Sequence, residues 1–171
     1  METTANQTLG KLIKSIADGK ISAIGELYAT LGKVMYTVAA IYAAQPADTE
    51  DIVHDSLVKI VIQAKTFREN KNAYAWVNTV VKNTAKDYLR RSRSRTEKYE
   101  EKESGYVIDE NAMAIREAFQ ILTESERDLM TYIYWYGMTL EEIGKLLHIT
   151  KSAVKKRADK VLLKLKKFFE K

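Results

Sequence analysis

A helical period governs this sequence, and it is clearest between Phe67 and Arg95. From Asn72 onward Trp76, Val77, Val80, Val81, Thr84, Ala85, Tyr88 and Leu89 recur at three- and four-residue steps, the spacing that lines apolar side chains along one stripe of a long α-helix. Asn83, Lys82, Lys86 and Arg90 fall on its other face. A polar loop, Arg68 to Lys71, precedes this helix behind the aromatic Phe67, and a basic tail of Arg91, Arg93 and Arg95 follows it. Aromatic surface beside a basic track suits single-stranded nucleic acid, whose bases stack while its phosphates follow the charge. Trp76 shares its face with apolar neighbours and reads as core.

Strand signals are almost missing. There is one proline, alternating apolar and polar runs are few, and no Asn-Gly or Asp-Gly hairpin turn joins two strand-like runs. The expected fold class is all-α: two small helical domains joined by an acidic linker, the second a helix-turn-helix. The expected boundaries are residues 1–95, 96–109 and 110–171.

Composition excludes several functions. With 46% hydrophobic residues, 171 positions are enough to build a core. Cysteine is absent, which removes disulfides, thiol nucleophiles and thiolate metal sites. His54 and His148 are far apart and neither has a His or carboxylate cluster resembling a zinc site, so no metal and no cofactor is expected. A Gly-rich phosphate loop, a Ser/His/Asp grouping and a recognisable carboxylate pair are all missing, so no catalytic residue is expected. The first residues, Met1 to Asn6, lack the basic and apolar regions of a secretory signal. The longest apolar run, Val34 to Ala44, falls short of the about 20 residues a bilayer requires. The expectation is a cytoplasmic protein without membrane insertion.

The net charge of +5 is modest, so its placement carries the information. Basic residues gather between Lys82 and Lys98 and again between Lys145 and Lys171. Glu97, Glu100, Glu101, Glu103, Asp109 and Glu110 lie between them. Two positive surfaces flanking an acidic segment point to two contacts with one polyanion.

In chain order, a first helix is expected over roughly Thr8 to Asp18, with Leu9, Leu12, Ile13 and Ile16 on one face and Gly19 ending it. Ser22 is the expected cap of the next, which turns Ile24, Leu27, Tyr28, Leu31, Met35, Val38 and Tyr42 inward. Pro46 breaks the chain, and Asp48-Thr49-Glu50-Asp51 opens a third helix with acids in its first turn, where the helix dipole favours them. Ile52, Val53, Ser56, Leu57, Ile60 and Val61 make its buried stripe. Glu50, Asp51, His54, Asp55 and Val58 point outward, and capping plus solvation is enough to explain those acids.

After the linker, a helix is expected around Glu110 to Ile121. Thr123-Glu124-Ser125-Glu126 reads as a capping box with Leu122 as staple, and Gly137 closes the helix it starts. Thr139-Leu140-Glu141-Glu142 is a second box behind Met138. A helix capped by Thr150 then runs to the C-terminus with Val154, Ala158, Val161, Leu162, Leu165 and Phe169 on one side. A short helix, a tight turn and a longer helix, with Ile143, Gly144, Leu147, Ile149 and Val154 filling the angle, form a helix-turn-helix pattern. Lys151, Ser152, Lys155, Lys156, Asp159 and Lys160 face outward from the half that would enter a major groove. Lysines there suit phosphates or guanine edges, and Asp159 suits cytosine N4. At the turn His148 occupies a position that favours glycine, where a small strain is expected.

Both lobes resemble regions 2 and 4 of bacterial sigma-70-family factors of the extracytoplasmic-function type. Asp48-Thr49-Glu50-Asp51-Ile52-Val53-His54-Asp55-Ser56-Leu57 is similar to the family's Asp-Ala-Glu-Asp-Leu-Val-Gln-Glu-Thr-Phe run, with His54 in place of glutamine. Phe67-Arg68, Ala75-Trp76-Val77, Asn83-Thr84-Ala85 and Asp87-Tyr88-Leu89-Arg90-Arg91 resemble the segment that melts and reads the minus-ten element. Leu122-Thr123-Glu124, the run Gly137 to Gly144, and Ala153-Val154-Lys155-Lys156-Arg157 resemble the region that binds the minus-thirty-five element.

The resemblance implies roles. Glu50, Asp51, His54 and Asp55 would dock on the clamp helices of the largest subunit of core RNA polymerase. Lys59, Gln63, Phe67, Arg68, Asn70, Lys71, Asn72, Asn83, Lys86 and Arg90 would serve the minus-ten element, holding an unstacked base. Lys151, Ser152, Lys155, Lys156, Arg157, Asp159 and Lys160 would read duplex promoter DNA at minus thirty-five. Core polymerase, promoter DNA and an anti-sigma factor are the implied partners. The alternative from residues alone is a stand-alone helix-turn-helix regulator with an N-terminal dimerisation or sensing domain.

Overall fold

Apolar residues at helical spacing organise both halves of the protein, whose structure is a computed structural model describing residues 4–43, 45–95 and 110–170. Among the described residues there are α-helices, one 3-10 turn and no strand. The chain divides into two compact units, Met1–Val107 and Ile108–Lys171. The expected linker, 96–109, and the side chains of Arg93 and Arg95 lie outside the described residues.

In the first unit, α1 (Thr4–Ala17) buries Leu9, Ile13 and Ile16 and ends at Gly19, whose φ of +86° suits a residue without a Cβ. It begins a turn earlier than its apolar pattern predicts because Asn6, also buried, has a distant backbone partner. The next helix, α2 (Ser22–Tyr42), is not capped by Ser22. Ile21 precedes it in helical conformation, and the Lys20 and Ile21 carbonyls take the first amides instead. Leu27, Leu31, Met35 and Val38 are buried as expected, whereas Tyr28 is half exposed, its ring lying over Gly32.

α3 (Pro46–Gln63) starts at its proline, two residues before the expected acid. Gln45 and Asp48 form a capping box in which the Gln45 amide donates to the Asp48 carboxylate at 3.1 Å. Ile52, Val53, Ser56 and Ile60 are buried, while Val61 is largely outside the core. A 3-10 turn, Ala64–Thr66, leads to Phe67.

α4 (Ala73–Arg95) packs against α1, α2 and α3 together. Being covered on several sides, it buries more than the single stripe the sequence suggests. Val77, Val80, Val81, Thr84 and Ala85 are buried as predicted, and so are Asn78 and Lys82. Lys82 was expected on the solvated face. Its long aliphatic stem allows this placement, since such stems bury readily.

In the second unit, α5 (Glu110–Gln120), α6 (Glu124–Tyr134), α7 (Leu140–Leu147) and α8 (Lys151–Phe169) enclose Phe119, Leu122, Leu129, Met130, Ile143, Val154 and Val161. Each fully buried side chain of this kind contributes about 1.5–3 kcal/mol. Phe119 meets Trp135 edge to face at 5.4 Å. Arg127 Nε donates to the Phe119 carbonyl at 2.7 Å and so satisfies the end of α5. Leu162 and Phe169 lie mostly outside this core, contrary to the expected stripe, because the covered face of α8 runs through Val154, Ala158, Val161, Leu165 and Phe168, one residue to the side of each.

Candidate nucleic-acid interface

The acidic face of α3 is tied to α4 by side-chain bonds. The Tyr88 hydroxyl lies 3.0 Å from Asp48 Oδ1 and 3.1 Å from Asp51 Oδ2, so its one proton serves either carboxylate. Burial, followed by these two acids, pushes the Tyr88 phenol well above its ordinary value and keeps it a donor. Arg91 donates to Asp55 at 3.0 Å and Lys59 to Asp87 at 2.9 Å. The Lys59 bond is the main reason the Asp87 carboxyl titrates below its usual range. Asp51, His54, Asp55, Tyr88, Arg91 and Ser92 border a shallow cleft of about 290 Å³. Glu50, Asp51 and His54 are exposed and Asp55 is half-buried, so the outward direction read from sequence describes them. Its cross-helix partners, Tyr88 and Arg91, were not legible as such, since Tyr88 had been placed on the apolar stripe.

The 3-10 turn feeds a short loop between α3 and α4. Phe67 is half-buried and meets Trp76 edge to face at 5.5 Å. Arg68, Glu69, Asn70 and Lys71 are exposed, and the Lys71 amide closes a turn on the Arg68 carbonyl at 2.8 Å. Asn72 caps α4, its Oδ1 accepting from the Ala75 amide at 2.9 Å. The Ala73 amide donates to Asn6 Oδ1 at 2.8 Å. Lys14 and Glu69 pair at 2.9 Å. Their hydrogen bond, reinforced by the charges themselves, raises the pKa of Lys14 and lowers that of Glu69.

Lys59 and Gln63 stand one turn apart on α3, as do Asn83 and Asp87 on α4, and the Lys59–Asp87 bond sets the two ridges side by side. Asn83, Lys86 and Arg90 are exposed along α4, and Arg90 also reaches Asp87 at 3.2 Å. The first unit therefore carries exposed amides and cations along α3 and α4 as well as a capped, exposed loop between them. Sequence reasoning missed the α1 residues that touch this loop. No local spacing could have revealed them.

In the second unit both predicted capping boxes form. Thr123 Oγ1 accepts from the Glu126 amide and Thr139 Oγ1 from the Glu142 amide, each carboxylate bonding back to its threonine amide. Gly144 is buried where α7 meets the start of α8. A Cβ there would lie 2.8 Å from the Ile149 carbonyl oxygen, closer than real Cβ atoms come. His148 has φ 55° and ψ 41°, the left-handed conformation expected of that turn. Thr150 Oγ1 caps α8 by accepting from the Ala153 amide at 3.1 Å. Beyond it Lys151, Ser152, Lys155, Lys156, Arg157, Asp159 and Lys160 are all exposed. Arg157 and Lys160 also border a cleft with Asp128, Leu129 and Tyr132 of α6, which places them on the side of α8 turned toward that helix.

Among the described residues no cluster of His and carboxylate side chains could hold a metal ion, and no helix is long and apolar enough to cross a membrane. No curated protein matches the chain in sequence. Among solved structures it is similar to CnrH in complex with the cytosolic domain of CnrY, at 21% identity over 97% of each chain and a TM-score of 0.66. It is also similar to the sigma factor RpoE of Bartonella quintana in complex with the anti-sigma factor NepR. That likeness has 19% identity, covers 85% of this chain and 95% of the other, and has a TM-score of 0.57. At such identities both are likenesses of fold. The family models are more specific. Residues 27–95 match sigma-70 region 2 and residues 118–167 match sigma-70 region 4, two modules in the order that the exposed loop and the helix-turn-helix occupy here. The chain belongs to the sigma-70 family, carrying its regions 2 and 4, and acts with core RNA polymerase at promoter DNA in transcription initiation.

Proposed function

We propose a division of labour within that role. Glu50, Asp51, His54 and Asp55 on α3 dock on the clamp helices of the polymerase largest subunit, where complementary charge steers association and fixes register. The loop from Phe67 to Asn72, together with Lys59, Gln63, Asn83, Lys86 and Arg90, holds the melted strand of the minus-ten element and accepts an extruded base. In the second unit Lys151, Ser152, Lys155, Lys156, Arg157, Asp159 and Lys160 meet duplex DNA at minus thirty-five, with the N-terminal half of α8 in the major groove. The observation that supports this reading is that the loop Arg68 to Lys71 and the Asn83, Lys86 and Arg90 side chains of α4 are all exposed within one compact unit.

In this reading the chain itself performs no catalysis. It works in the cytoplasm, and an anti-sigma factor of the kind that accompanies RpoE of Bartonella quintana is a fitting partner. The regulator alternative has lost its ground, because the N-terminal half matches region 2 rather than a sensing or dimerisation module.

Run-off transcription with core polymerase tests the division. Lys155→Ala with Lys156→Ala should reduce promoter use at unchanged polymerase affinity, whereas Glu50→Lys should weaken polymerase binding first. Glu50 is a cleaner probe than Asp51 or Asp55, whose loss would also release Tyr88 or Arg91. Equal effects of both classes on both measurements would overturn the assignment.

A further inference from the structure

Three residues of α1 at four-residue spacing, Asn6, Gly10 and Lys14, face one short segment of chain. Asn6 is buried, and its Oδ1 takes the Ala73 amide at the first residue of α4. A Cβ on Gly10 would stand 3.5 Å from the Phe67 ring, so that ring lies directly against the helix. Lys14 pairs with Glu69 inside the loop itself. The loop is thus held at its entry, its middle and its exit by one helix, and α1 lies before residue 27, where the region 2 match begins.

We propose that α1 is a positioning element for minus-ten specificity, with Asn6 and Lys14 setting the shape of the loop that receives the extruded base; this rests on the reading of that loop given above. The first amides of a helix lack partners within it. Asn72 satisfies the amide of Ala75 from nearby, while Asn6 satisfies that of Ala73 from the other end of the unit. With both caps in place the exit of the loop has one position. The Lys14 contact, on the surface, adds direction rather than strength, since exposed ion pairs are individually weak. A base pocket depends on placement to within a fraction of an ångström, so a residue that never touches DNA alters which base is preferred.

The test is transcription by core polymerase with the full chain from a promoter library randomised across the minus-ten element. Asn6→Ala should flatten the preference at one position about tenfold, the scale of leaving one buried amide unsatisfied. Asn6→Asp, which keeps an acceptor oxygen, should recover most of it. Lys14→Glu and Glu69→Lys should each shift the base profile, and the double exchange should restore it. Asn70→Ala, inside the loop, is the reference. If Asn70→Ala reshapes the profile while the α1 variants lower all promoters evenly, α1 is structural only and the inference falls. If Asn70→Ala leaves the profile unchanged, the loop does not read bases and the proposal beneath falls too. Should Asn6→Ala fail to fold, the charge exchange between Lys14 and Glu69 decides the matter alone.

Discussion

The two units are built by different means. In the second, the polar bonds that open α6, α7 and α8 are local: Thr123 with Glu126, Thr139 with Glu142 and Thr150 with Ala153 each close over three residues. In the first, beside local caps at Gln45 and Asn72, bonds join distant parts of the chain, Asn6 to Ala73, Lys59 to Asp87 and Tyr88 to Asp48 and Asp51. Local bonds form with the helix they begin and tolerate changes elsewhere. Distant bonds exist only when the whole unit is assembled, so each reports on the packing of several helices at once. A module that presents a rigid helix to duplex DNA can rely on the first kind. One that must hold a loop in a single shape needs the second.

This contrast can be broken at several points. The largest effect should come from Gly144→Ala, which forces a methyl group against the Ile149 carbonyl and should destabilise the second unit by about 2–3 kcal/mol. Thermal unfolding followed by circular dichroism should show that loss confined to one transition, with the first unit unmoved. Next, Asn6→Ala should cost about 1–3 kcal/mol by stranding a buried amide, whereas Thr139→Ala, a local cap, should cost about 1 kcal/mol. Equal losses in chemical denaturation would erase the distinction between distant and local bonds.

A smaller change, in the opposite direction, is expected for His148→Gly. Releasing an L-residue from the left-handed region should offset the entropy of glycine and stabilise by up to about 1 kcal/mol, visible as a higher Tm. The smallest concerns pH. Because Lys59 holds the folded pKa of Asp87 below its unfolded value near 3.9, its stabilisation is complete above that value and disappears as pH falls through the lower, folded one. The pair is partly exposed, so Asp87→Asn should cost only about a few tenths of a kcal/mol at pH 7 and progressively less as pH falls below the ordinary carboxylate range. A difference that persisted at low pH would mean that Asp87 acts through something other than its charge.

How much could be read beforehand follows the same division. Both threonine capping boxes, the Thr150 cap and the left-handed His148 were legible because each is set by residues within one turn of helix. So was the helix-turn-helix, with small Gly144 at its angle. In the first unit the long helix after Asn72 was legible from its apolar period, but the burial of Lys82 was not, since period alone does not say how many neighbours cover a helix. Ser22 looked like a cap by type, yet the preceding turn already supplies carbonyls to the amides it would have bound. The loop was visible as a polar interruption after Phe67. Its attachments to α1 were not, because Asn6 and Ala73 are separated by most of the unit.

Gly144 has one more bearing on how such a protein could change its target. Because backbone meets backbone at that corner, the aim of α8 is fixed by atoms that every residue possesses, and the outward side chains take no part in setting it. On the proposed reading of α8, Lys155, Lys156 or Asp159 can therefore be exchanged, as letters on a rigid stamp, to respell the sequence that is recognised without tilting the tool that reads it.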